Sequence, residues 1–151
     1  MSEARTVKVK SQLARQLAIP GGRTVAEAKR LAEVGLESHR ADTMADLGRL
    51  VGQLEELCAA GAAEGRPRVY ALASALVDMA GFFDTGPFYT AGYSLCDLSE
   101  RMQVAGTWSW PAVEVHVKAL RLILAGGCKA GPESDALLQG LKQVLAAFSP
   151  T

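Results

Sequence analysis

The sequence predicts an all-α protein, a bundle of four to five helices with one long N-terminal helix. Apolar residues recur at spacings of three and four in successive segments, as on one side of a helix, and no segment alternates at a period of two. Alanine and leucine supply much of the 49% hydrophobic share, and both residues enter helices at low cost. A chain of 151 residues fits one domain with a sizeable core.

The first 23 residues are expected to form a basic arm, followed by a helical bundle domain over 24–151. A short helix is possible over Ser11–Ala18, since Leu13 and Leu17 lie one turn apart before Pro20 ends it. The arm precedes an acidic segment of the long helix. Two interpretations stay open for this asymmetry: two solvated faces that attract each other within the chain, or an arm that binds an acidic partner.

The long helix is predicted to begin at Thr24 and to run to about Ala63. Thr24 and Glu27 have the capping-box spacing, in which each side chain bonds the other residue's unpaired amide. Its second half carries leucines in near-heptad spacing, at positions 47, 50, 54 and 57. They suit either the bundle core or a partner helix, so a homodimer is possible. Its first half has a ragged face, which predicts a bend or an exposed stretch near Gly35–Asp42.

Local signals place the remaining helices. After "EGRPR", a second helix carries apolar residues from Val69 onward, and a third helix starts near Pro87 and stops at Gly106. Ser109 can cap the fourth helix, and Pro132 starts a fifth. The predicted core comprises Leu95, Leu98, Val117, Leu120, Leu141 and Leu145.

Composition disfavours several classes of function. Sixteen basic residues balance 16 acidic ones, so no global field gathers nucleic acid. Cys58, Cys96 and Cys128 are widely spaced and odd in number, which argues against a disulfide framework or a thiolate zinc site. We expect no metal and no cofactor. No apolar run reaches membrane-spanning length, so we expect no membrane insertion and a cytoplasmic location.

Two histidines are candidate phosphoacceptors. His116 lies on the apolar stripe of the fourth helix, where a histidine is usually packed and hydrogen-bonded. Histidine phosphotransfer domains typically carry the pattern H-x-L-K-G, whereas Lys118 follows His116 by two positions, roughly 200° around the helix. His39 is predicted to be exposed, with Asp42 able to orient its ring.

Three residues are candidates for binding a partner. Trp108 and Trp110, in "TWSW", either pack back over the third and fourth helices or form an aromatic anchor on the surface. Arg23, in "PGGRT", could lie near an anion at the start of the long helix, although glycine is also common at helix starts for backbone reasons.

Three stretches resemble a known family. They are "VKVKSQLARQLAIPGGRTVAEA" at the start, "AGYSLCDL" in the middle and "WSWPAVEVHVKALRLI" near the end. In that order they are similar to small alphaproteobacterial chemotaxis proteins of the CheE type, over most of the chain. The resemblance implies a cytoplasmic accessory protein whose partners are the histidine kinase, the response regulators or the receptor array. It implies no catalytic residues.

Two hypotheses follow from the sequence. The favoured one is a non-catalytic interaction protein of a chemotaxis system, since no convergent nucleophile, acid and base are recognisable. The alternative is a histidine phosphotransfer protein that uses His116 or His39.

Overall fold

The computed structural model describes residues 24–83 and 85–149, which contain five α-helices and no β-strand. The helices are α1 (Val25–Ala60), α2 (Arg66–Ala80), α3 (Pro87–Ala105), α4 (Trp110–Ala125) and α5 (Pro132–Ala146), and a short 3-10 helix, Ala63–Gly65, precedes α2. The predicted all-α bundle with one long N-terminal helix is confirmed. The predicted basic arm, residues 1–23, lies outside the described residues. None of the described helices is long and apolar enough to cross a membrane.

The chain divides into two units after His39, inside α1. In the first unit the described residues, 24–39, form the beginning of α1 and are exposed throughout. The Thr24 hydroxyl accepts a hydrogen bond from the Glu27 amide at 3.1 Å, which is one half of the predicted capping box. Across Gly35–Asp42 the helix is unbroken and largely exposed, so the predicted exposed stretch is present.

The second unit, from Arg40 onward, holds the hydrophobic core. There α2, α4 and α5 each pack against α3, and α4 also packs against α5. The second half of α1 adds Leu47, Leu54 and Leu57 to the buried core, with Leu50 partly buried against it. The near-heptad leucines therefore belong to the bundle core within this unit.

Helix ends follow the predicted local signals. Gly106 ends α3 in the left-handed region, at φ +67°, where glycine carries no steric penalty. The Ser109 hydroxyl accepts a hydrogen bond from the Ala112 amide at 3.3 Å and caps α4. Pro132 begins α5. The Ser134 hydroxyl accepts a hydrogen bond from the Gly131 amide at 3.0 Å.

The predicted core is confirmed at five of its six positions. Those five side chains are at most 2% exposed, whereas Leu145 is partly buried against the core. The five are Leu95, Leu98, Val117, Leu120 and Leu141.

One ion pair ties α1 to α4 within the second unit. The Arg121 guanidinium donates from Nε and Nη2 to the two carboxylate oxygens of Glu55, at 2.8 and 3.0 Å. Nη2 also donates to the Gly48 carbonyl at 3.3 Å. The hydrogen bond from Arg121 lowers the pKa of Glu55. Since both side chains are substantially exposed, the pair orients the helices more than it stabilises them.

Leu120→Ala should lower the free energy of unfolding by about 2–5 kcal/mol, because the side chain is completely buried and truncation leaves a cavity. Leu122→Ala is the matched control, since Leu122 on the same helix is 59% exposed. Urea unfolding should place the control within about 0.5 kcal/mol of the parent protein. Equal losses for the two variants would contradict the packing of α4.

Candidate functional site

His116 on α4 is bonded to α3 through Ser94. Its Nε2 lies 2.9 Å from the Ser94 hydroxyl oxygen, and its Nδ1 lies 3.0 Å from the Ala112 carbonyl oxygen. A carbonyl can only accept, so Nδ1 carries the proton and Nε2 accepts the hydrogen bond that the Ser94 hydroxyl donates. The prediction that His116 lies on the buried stripe is confirmed, because the residue is 0% exposed.

The surroundings of His116 favour its neutral form. Burial lowers the pKa of the imidazole by penalising its charge, and the hydrogen bond to the Ala112 carbonyl opposes this shift only in part. Both ring nitrogens are occupied, and no face of the ring meets solvent. An incoming phosphoryl group would have no open line of approach to either nitrogen.

The Ser94–His116 contact has the distance of a nucleophile and its general base, but its setting differs from that of a hydrolase. The histidine is oriented by a backbone carbonyl, and Ser94 lies inside α3, where it is not held on a sharp strand-to-helix turn. The pair is better suited to join α3 to α4, since it satisfies a buried imidazole.

Trp108 and Trp110 meet in the loop before α4 and in its first turn. Their rings form a T-shaped pair, with centroids 5.4 Å apart and an interplanar angle of 72°. Both are partly buried and pack against the core. A Cβ added at Gly65 would lie 3.6 Å from Cη2 of Trp110, so the backbone before α2 approaches this ring closely. We call the two rings the tryptophan pair. They pack against the core, as one of the two alternatives predicted, whereas the role of an aromatic anchor for a partner stays a prediction.

The tryptophan pair leaves two polar groups unsatisfied. The indole Nε1 atoms of Trp108 and Trp110 are buried, and neither has a hydrogen-bond partner among the described residues. An unpaired buried donor costs about 1–3 kcal/mol.

Arg66 lies over the ring of Trp108. Its guanidinium carbon is 5.8 Å from the ring centroid, within the range of a cation–π contact. Together with Pro67, Met102, Gln103 and Gly106, these two residues line a surface groove of about 310 Å³, which we call the Arg66 groove. Sequence reasoning treated "EGRPR" as a connection and missed Arg66. The available signal was an arginine in the first turn of a helix, where acidic residues are favoured.

His39 is exposed on α1, in the first unit, whereas His116 belongs to the second. Arg23 lies outside the described residues, so its proposed anion contact stays a prediction.

The described part of the chain offers no group of histidine, cysteine and acidic residues that could hold a metal. Burial raises the pKa of both Cys58 and Cys96 to about 11, with smaller contributions from nearby carboxylates. Burial also raises the pKa of Cys128, although Arg40 opposes this shift. At neutral pH these thiols are protonated, which makes them poor nucleophiles and poor metal ligands.

Comparison of the chain with protein-family models, curated proteins and solved structures finds no match.

Stability should fall in mild acid because of His116. The folded pKa is lowered below the unfolded value of about 6.5, so the unfolded chain binds the proton more readily. The contribution is complete above about pH 6.5 and is lost as the pH falls toward the folded pKa, at up to about 1.4 kcal/mol per pH unit. Urea titrations across this range measure it. The control is His116→Gln, in which the decline should be shallower; an unchanged decline would assign it to other groups.

Proposed function

We propose that this chain is a cytoplasmic, non-catalytic interaction protein of a bacterial chemotaxis signalling system. Its partner would be the histidine kinase, a response regulator or a component of the receptor array. The assignment to a chemotaxis system rests on the resemblance of the sequence to CheE-type proteins. The observation that carries an interaction role is the tryptophan pair, in which two partly buried aromatic rings lie beside an arginine.

Tryptophan and arginine are the residues most enriched among those that dominate binding energy at protein interfaces. In this chain they are held by the fold, since Trp110 begins α4 and Arg66 begins α2. A contact surface that is ordered before binding loses less conformational entropy when the partner arrives.

A second candidate function is histidine phosphotransfer, and the exposure of His39 is the observation that favours it. His39 lies on a helix, as a phosphoacceptor of this class does. The closed surroundings of His116 oppose the same role for that residue.

Trp108→Ala should weaken binding to a chemotaxis protein by about thirtyfold, the effect of losing about 2 kcal/mol at a central aromatic contact. The measurement is binding of the purified chain to the purified kinase, response regulators and receptor signalling domains. Tyr93→Ala is the matched control, since Tyr93 is 61% exposed on α3 and its loss also removes an aromatic surface group. Circular dichroism should show both variants folded. Equal affinity for the two variants would remove the tryptophan pair from the interface.

Incubation with an autophosphorylating chemotaxis kinase and with phosphorylated receivers should leave no acid-labile phosphate on the chain. Phosphate that appears on the parent protein and disappears in a folded His39→Gln variant would replace the interaction role with phosphotransfer. His116→Gln is the matched control for loss of an imidazole. Phosphate lost in this variant alone would show that the helix opens around His116.

A further inference from the structure

The first turn of α2 carries two cations in a position that opposes their charge. Arg66 and Arg68 stand where the helix dipole is positive, and this turn contains no acidic residue and no side-chain cap. A cation at this end of a helix is unfavourable, because it meets the positive end of the helix dipole. Among the described residues no carboxylate pairs with Arg66, although Glu64 is only two positions away. The start of α2 is therefore a positive site without an internal counter-ion.

The two arginines differ in their surroundings. Arg66 is stacked over Trp108 and lines the Arg66 groove, whereas Arg68 is two residues further on, roughly 200° around the helix, and does not line it. The cation–π contact places the guanidinium among the residues that line the groove, where its N–H groups can meet a carboxylate. Gln103, exposed on the opposite wall, adds an amide that can donate to the same group.

We propose, building on the interaction role above, that the Arg66 groove binds an acidic segment of the partner protein. A glutamate or aspartate side chain would pair with the Arg66 guanidinium, while the partly buried ring of Trp108 contacts an adjacent hydrophobic side chain. Charge complementarity selects this occupant, because among the described residues the groove has a cation without a carboxylate partner, a positive helix end and no acidic lining residue. A basic segment would meet repulsion at the same place.

The test measures binding of a dye-labelled, glutamate-rich peptide containing one phenylalanine to the full chain, by fluorescence anisotropy. A twin peptide with lysine in place of glutamate is the charge control. The glutamate peptide should bind, with an affinity that falls as salt is raised, and the lysine peptide should not. Arg66→Gln should weaken binding about tenfold, the effect of losing one charge-assisted contact. Arg68→Gln removes the same charge from the same helical turn and should change the affinity by less than about threefold.

Equal losses in Arg66→Gln and Arg68→Gln would show a diffuse charge effect and would overturn the assignment of the groove, as would failure of the glutamate peptide to bind. Circular dichroism should show both variants to be as helical as the parent. The peptide assay contains no chemotaxis protein, so its outcome is separate from the proposed function. If the peptide binds through Arg66 and the purified chemotaxis proteins do not bind, the acidic partner stands and the chemotaxis assignment falls.

Discussion

The packing of α2, α4 and α5 depends on one buried side of α3. Five residues line this side, and each is at most 1% exposed: Phe88, Ala91, Leu95, Leu98 and Met102. On its flank, Gly92 gives α2 room to approach, since an added Cβ would lie 3.3 Å from Val77 Cγ2. Because α3 is covered by three helices, a change in its side chains would disturb all of them together. The positions of both candidate sites follow from this helix, since Ser94 lies on it and the Arg66 groove lies at its end.

A polar pair within this packing limits the chemistry available to the protein. The imidazole of His116 could be buried only with partners for both nitrogens, and α3 supplies one of them through Ser94. Once satisfied in this way, the ring is neutral and closed to an incoming group. The residue that most suggested reactivity in the sequence is thus part of the scaffold. The proposed partner contact is therefore assigned to the tryptophan pair and Arg66, which lie outside this buried pair.

The helices were predictable because their signals are local. The Ser109 cap, the left-handed Gly106 and the apolar stripes depend on neighbours within a few residues, and the structure contains each of them. The partnership of Ser94 with His116 was not predictable in the same way, because it depends on the register of α3 against α4. The contact of Arg66 with Trp108 joins residues that lie far apart in sequence and meet only when α2 packs on α3. Spacing along one helix carries no information about such contacts between helices.

The start of α2 shows why local rules and function can diverge. An acidic residue at position 66 would suit the positive N-terminal end of the helix dipole better than arginine does. Stacking on Trp108 offsets part of that cost, since a cation–π contact contributes about 0.5–1 kcal/mol at an exposed site. The arginine is thus held in place without a carboxylate of its own among the described residues, and its hydrogen-bond donors stay open at the groove. Local rules are broken most often at functional sites, so an arginine at this position beside a groove is the observation on which the proposed acidic partner rests.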